Sequence, residues 1–152
     1  MIVFRLCKAN YANDLSGFGA EKWGGRWNSQ GVPMLYTSQS RALCTAEIAV
    51  HTPMGIIPDH YVLITLNIPG HSLFTLPLST LPKDWKAIPP AQSTRKLGDQ
   101  FIKDNKFLTL KVPSIIVQGE YNFLINPRHA RIKDVVVEST ESFEFDTRLF
   151  NR

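Results

Sequence analysis

Short apolar runs bounded by polar or turn-forming residues recur along the chain. They predict strands at 2–6, 35–37, 61–68, 114–118 and 135–138, with Phe143-Glu144-Phe145 alternating near the end. Two segments carry the longer period of a helix. Over 40–51, Ser40 stands where an N-cap hydroxyl is wanted, the interior is rich in good helix formers, and Pro53 follows shortly after the end. Over 93–103, Leu97 and Phe101 lie four apart and so share a face. The stretch from 69 to 90 holds many of the ten prolines and predicts an irregular loop. Strands outnumber helices without regular alternation, which favours an α+β fold over a doubly wound parallel sheet. No internal repeat, low-complexity tract or linker divides the chain, so one domain spanning 1–152 is expected.

Composition narrows the class. A chain of 152 residues can bury a sizeable core, and 43% hydrophobic with 20% charged residues is ordinary for a soluble globular protein. No apolar run approaches the roughly 20 residues that span a bilayer. Residues 1–8 lack the charged start and long apolar stretch of a secretory signal, so the expectation is a cytoplasmic protein in which Cys7 and Cys44 are reduced thiols. Those two cysteines form no CxxC pair and have no His pair beside them, and no HExxH is present, so no metal site is expected. The net charge of +4 is spread along the chain rather than gathered in a run. It suits an anionic small molecule as well as a basic face for nucleic acid.

The densest chemistry lies in 25–38. Arg26, Trp27, Tyr36 and Ser38 stand there among glycines that let backbone bend closely around a ligand. Two readings are open: a ligand pocket, or Trp and Tyr capping a core with their polar tips in water. In the first helix Glu47 sits among Leu43, Cys44, Ala46, Ile48, Ala49 and Val50. Either it occupies the one solvated stripe, or it is a partly buried carboxylate that needs a partner and is a candidate for catalysis. Ser114 opens the apolar run Ile115-Ile116-Val117, but no GxSxG elbow surrounds it. Asn122 and Asn126 lead into Asn126-Pro127, which reads as a turn able to present an amide to a ligand, or as a turn only. Gly17-Phe18-Gly19 begins a GxG, yet Lys22 stands at the third glycine position, so the Rossmann fingerprint is missing.

The order Gly25-Arg26-Trp27-Asn28, Leu35-Tyr36-Thr37-Ser38, Ala46-Glu47, Val112-Pro113-Ser114 and Tyr121-Asn122-Phe123-Leu124-Ile125-Asn126-Pro127 resembles the RES-domain family of bacterial toxins, named for its Arg, Glu and Ser. The resemblance covers nearly the whole chain. It implies a fold similar to ADP-ribosyltransferase toxins, with a mainly antiparallel split sheet and a few flanking helices. It also implies an NAD-consuming enzyme that cleaves the nicotinamide–ribose bond and passes ADP-ribose to water, phosphate or a protein acceptor. On residue matching Arg26, Glu47 and Ser114 are the name-giving residues; Arg26, Tyr36 and Glu47 form the catalytic set, and Arg5, Trp27, Ser38, Ser114, Asn122 and Asn126 are expected to contact NAD. NAD is then a substrate, with no resident cofactor or metal. The implied partner is an Xre-type helix-turn-helix antitoxin, through which alone DNA would be touched; a homodimer stays open and no membrane is involved. A second class of function, a nucleic-acid-binding or RNA-cleaving toxin, draws on a pI near 9.2 with three Trp and four Tyr.

Overall fold

The computed structural model describes residues 1–151. Among these residues seven strands form one sheet: β1 (Ile2–Lys8), β2 (Leu35–Ser38), β3 (Tyr61–Asn67), β4 (Leu73–Thr75), β5 (Thr109–Pro113), β6 (Tyr121–Ile125) and β7 (Val136–Phe143), in the order β4-β5-β6-β2-β1-β3-β7. All neighbours run antiparallel except β4 and β5. Three helices accompany the sheet: α1 (Phe18–Trp23), α2 (Arg41–His51) and α3 (Gln92–Asp104). The fold is α+β, and its sheet is nearly split. β1 registers with β3 along its whole length but with β2 through the single pair Phe4 and Ser38.

Register sorts the side chains into two faces, because paired residues of antiparallel strands point the same way and successive residues point opposite ways. One face carries Leu6 with Leu63, Phe4 with Ser38 and Asn122, and Tyr36 with Leu124 and Leu110. The helices lie on this side and cover it in two patches. α2 closes the patch around Leu6, Cys44, Leu63, Phe145 and Phe150; α3 and the loop after α1 close the one around Trp27, Met34, Ile102, Leu110, Val112 and Leu124. The opposite face carries Val3, Leu35, Ile64, Leu66, Phe123 and Ile125 beneath Ala12, Leu15, Ile132 and Val135. The single-pair junction falls between the two patches of the first face.

The end of α2 is set by its sequence. The Ser40 hydroxyl accepts the Leu43 N–H at 3.0 Å, a cap of about 1 kcal/mol. Leu43, Cys44, Glu47 and Ile48 follow the three-and-four spacing that makes one stripe, so Glu47 sits on the edge of the packed face. α3 extends one residue beyond each end of 93–103, closing with Asn105 in the left-handed region, which Asn tolerates.

Three local expectations are corrected. Residues 114–118 form a turn, because the Ser114 hydroxyl accepts the amides of Ile116 and Val117 (3.0 and 3.1 Å) and bends the chain out of the sheet. The strands there are β5 before it and β6 after it, the latter built on Tyr121–Ile125 immediately before the Asn126-Pro127 turn. The proline-rich stretch is not wholly irregular: β4 lies inside it. β7 runs on from Val136 to Phe143, where only its first residues and the final alternation were expected. Cys7 and Cys44 are both free thiols. Cys44 belongs to the patch on the helical face, while Cys7 packs against the core of the other face, so the sheet separates them.

Candidate active site

At the junction, Ser38 of β2 and Asn122 of β6 are registered neighbours on the helical face. The Ser38 hydroxyl donates to Asn122 Oδ1 at 2.8 Å, and Asn122 Nδ2 donates to Glu47 Oε1 at 2.8 Å. Ser38 is buried, and Asn122 and Glu47 are half-buried. Glu47 is thus neither on a free solvated stripe nor an orphaned buried charge. It lies at the edge of the α2 packing with one oxygen held by an amide and the other without a hydrogen-bond partner among the described residues.

Arg26 stands in the loop before β2, next to Trp27, whose N–H meets the Tyr36 phenol. Its guanidinium is half-buried, and Nη1 donates to the carbonyls of Trp85 and Ala87 at 2.9 Å each, which ties the loop after Pro82 to Arg26. Burial lowers the pKa of Arg26, while the fields of Glu47 and Tyr36 oppose that shift, so the guanidinium stays charged and is electrostatically coupled to Glu47. Tyr36, two residues before Ser38 on the same face, packs against the patch containing Trp27 and Met34. Its phenol donates to Asn28 Oδ1 (2.7 Å) and accepts the Trp27 N–H (3.1 Å). Burial pushes the Tyr36 pKa up, against the opposing hydrogen bond from Trp27, so the phenol is neutral at physiological pH.

The loop that presents Arg26 is fastened from two sides. Asn28, fully buried, donates to the carbonyls of Ala20 and Val32 while it accepts from Tyr36. From α3, the Thr94 hydroxyl donates to the Arg26 carbonyl (2.7 Å), Arg95 Nε donates to the Gly25 carbonyl (3.1 Å), and Asp99 accepts both the amide and the hydroxyl of Ser29 (2.9 and 2.6 Å). Gly98 completes the seat, since a Cβ there would run into the Trp27 carbonyl. Gly98→Ala should therefore lower stability by roughly 1–3 kcal/mol or displace the loop. Thermal unfolding checks this; an unchanged Tm would show that the approach is not tight.

The remaining expected residues divide. Trp27 is buried, at 2% exposure, so its indole is a core element under the loop. Ser114 lies one step past β5, where its amide donates to the Glu120 carbonyl and its hydroxyl oxygen serves the 114–118 turn; no bond joins it to Glu47. Asn126 stands beyond the far end of β6 from Asn122. Its side chain accepts the Arg128 amide and donates to Asn105 Oδ1, both at 2.9 Å, and so builds a turn away from Glu47. Arg5 points to the opposite face: it pairs with Ile64, and its Nη1 donates to the carbonyls of Tyr11 and Asp14. The structure therefore brings together Arg26, Tyr36, Ser38, Glu47 and Asn122, and does not bring Arg5 or Asn126 to them. Among the described residues no three His, Cys, Asp or Glu side chains converge on a metal position, and no helix is long and apolar enough to cross a membrane.

Cys44, one turn before Glu47, has its thiol pKa pushed up to about 11 by burial, against opposing contacts with Ser38 and the Leu6 backbone and with a small further rise from Glu47. It is a neutral packing group at pH 7.

A family model described as the RES domain matches residues 2–146. The chain belongs to the RES-domain family. A Prs ADP-ribosylating toxin of Sphingobium sp. (strain YBL2) is 35% identical over 144 residues, covering 93% of this chain and 89% of the relative. A Toxin Res of Pseudomonas putida (strain KT2440) is 34% identical over 154 residues, covering 99% and 100%. Among solved structures, a chain in the crystal structure of the M. tuberculosis MbcT-MbcA toxin-antitoxin complex is similar with a TM-score of 0.75 at 18% identity, covering 98% of this chain and 86% of that one. That likeness shows the fold. In this RES domain Glu47 is held by Asn122 on the helical face and Arg26 lies in the loop fastened by Tyr36 and α3, while Ser114 builds a turn.

The bracing residues Asn28, Thr94, Arg95 and Asp99 carry no functional signal in the sequence beyond Asn28 lying in the Gly25–Asn28 motif. Their partners are up to 70 residues away.

Proposed function

We propose that this RES domain is the toxin of a toxin-antitoxin pair and that it breaks the nicotinamide–ribose bond of NAD+. The observation that carries the reading is the half-buried Glu47 carboxylate, held on one oxygen by Asn122, with the Asn122 amide itself fixed by Ser38. Cleaving the bond builds positive charge on the ribose in an oxocarbenium-like transition state, as in glycoside hydrolysis. A fixed carboxylate stabilises that charge, directly or through the ribose hydroxyls. The Arg26 guanidinium keeps Nε and Nη2 for the pyrophosphate or an acceptor phosphate. The Tyr36 ring can face the cationic nicotinamide, an attraction of roughly 0.5–2 kcal/mol, while its hydroxyl holds the loop. The names of the relatives, an ADP-ribosylating toxin and Toxin Res, support the same chemistry and role. The ADP-ribose acceptor in this reading is water, phosphate or a protein side chain, and the partner is an Xre-type helix-turn-helix antitoxin.

The test is nicotinamide release from NAD+ by purified protein, with RNA as the parallel substrate. RNA cleavage without nicotinamide release would replace the reading. Arg26→Lys keeps the charge but loses the planar fork and the two loop carbonyl bonds made by one nitrogen. Turnover should fall at least about tenfold, the size of one charge-assisted hydrogen bond. Unchanged kinetics would remove Arg26 from the site.

A further inference from the structure

We propose that Ser38 and Asn122 are positioning residues for Glu47: a Ser38–Asn122–Glu47 hydrogen-bond relay, anchored in the sheet, fixes the orientation of the carboxylate. The proposal rests on the reading of Glu47 as the group that stabilises the ribosyl cation.

The geometry is specific. Ser38 is 5% exposed, and its hydroxyl donates inward to Asn122 Oδ1. An Asn side chain that accepts through its oxygen must present its NH2 on the other side. That side carries Glu47 Oε1. The hydroxyl therefore settles which way the amide points, and the amide settles where the carboxylate stands. Both anchors come from backbone already locked, since Ser38 and Asn122 are registered partners and Ser38 is also the one residue of β2 registered with β1. Glu47 rides on a different element, α2, so without the relay it would keep the rotamer freedom of a long side chain at a helix edge.

The relay also accounts for two polar side chains that the resemblance assigned to substrate. Asn122 spends its oxygen and one N–H on protein partners. A positioning role and direct substrate contact separate in kinetics: loss of orientation lowers kcat, and loss of a uniform binding contact raises KM.

The experiment measures nicotinamide release from NAD+ by the full chain in Asn122→Ala, Ser38→Ala and Asn122→Asp, alongside Glu47→Gln, with thermal unfolding to establish that each variant is folded. Asn122→Ala should lose roughly ten- to a hundredfold in kcat, the size of a hydrogen bond to a charged group, with KM nearly unchanged. Ser38→Ala should lose less, in kcat as well, because the amide remains but is free to turn. Asn122→Asp places a second carboxyl against Glu47. The pH profile of kcat should then change, because two adjacent carboxyls titrate as a coupled pair. A residue with a merely structural role would instead show a lower unfolding midpoint with kcat unchanged in the folded protein. If Glu47→Gln is inactive while Asn122→Ala and Ser38→Ala keep wild-type kcat, or lose only KM, the relay is overturned and the Glu47 reading stands. If Glu47→Gln turns over normally, the Glu47 reading itself fails. If Asn122→Ala does not fold, Ser38→Ala and the Asn122→Asp profile decide.

Discussion

Replacing Glu47 with Gln should reduce nicotinamide release from NAD+ by about a hundred- to a thousandfold while the fold stays intact. The magnitude follows from the loss of a preorganised charge opposite a developing cation, which typically costs that much in rate. The fold should survive because the change keeps the volume of the side chain, and a Gln carbonyl can still accept from Asn122 Nδ2 at the position Oε1 now holds. The Leu43, Cys44 and Ile48 contacts of α2 are untouched. Circular dichroism and the unfolding midpoint check the second half of the statement, and steady-state kinetics the first. Wild-type turnover in a folded Glu47→Gln protein would remove the carboxylate from the chemistry.

In cells, expression of this chain alone should arrest growth and lower NAD, and co-expression with its antitoxin should reverse both. An enzyme that consumes NAD drains a carrier on which every redox pathway depends, and turnover on the order of 10 per second is ordinary. An inhibitor would be most economically placed over Arg26, Tyr36 and Glu47. The matched control is Glu47→Gln, which should accumulate without arrest. Normal growth and normal NAD with abundant folded wild-type protein would refute the toxin role for this copy.

How much was legible depended on whether the determining interactions were local. α2 was readable because its cap, its interior and its stop all lie within about a dozen residues, and the Ser40 hydroxyl does accept the Leu43 amide. β1, β2 and β3 were readable for the same reason. β5 was not, because Lys111 and Pro113 interrupt its apolar pattern, and β6 was not, because Asn122 and the Asn126-Pro127 turn draw attention away from the strand between them. The apolar run 115–117 misled in the opposite direction: a run of that kind implies burial in a strand, but the Ser114 hydroxyl supplies a closer partner for two of its amides. At the site, Glu47 was flagged by its apolar neighbours, and Arg26 and Tyr36 by their glycine-rich setting. What holds them was hidden. Asn122 and Glu47 are 75 positions apart, and Arg26 meets the carbonyls of Trp85 and Ala87 from 59 and 61 positions away. Arg5 looked equivalent to Arg26 in charge, and only strand register reveals that it points through the other side of the sheet.

The single registered pair between β1 and β2 makes the sheet two plates sharing one rivet. Glu47 rides on the plate formed by β1, β3 and α2, whereas Arg26 and Tyr36 ride on the one formed by β2, β5, β6 and α3. The helix that carries the proposed carboxylate and the loop that carries the proposed phosphate-binding guanidinium are thus mounted on separate frames, and the Asn122–Glu47 hydrogen bond is a tie across the gap between them. Truncating Leu63 on one side or Ile102 on the other should change the rate of nicotinamide release by tilting a mount, without touching either proposed group.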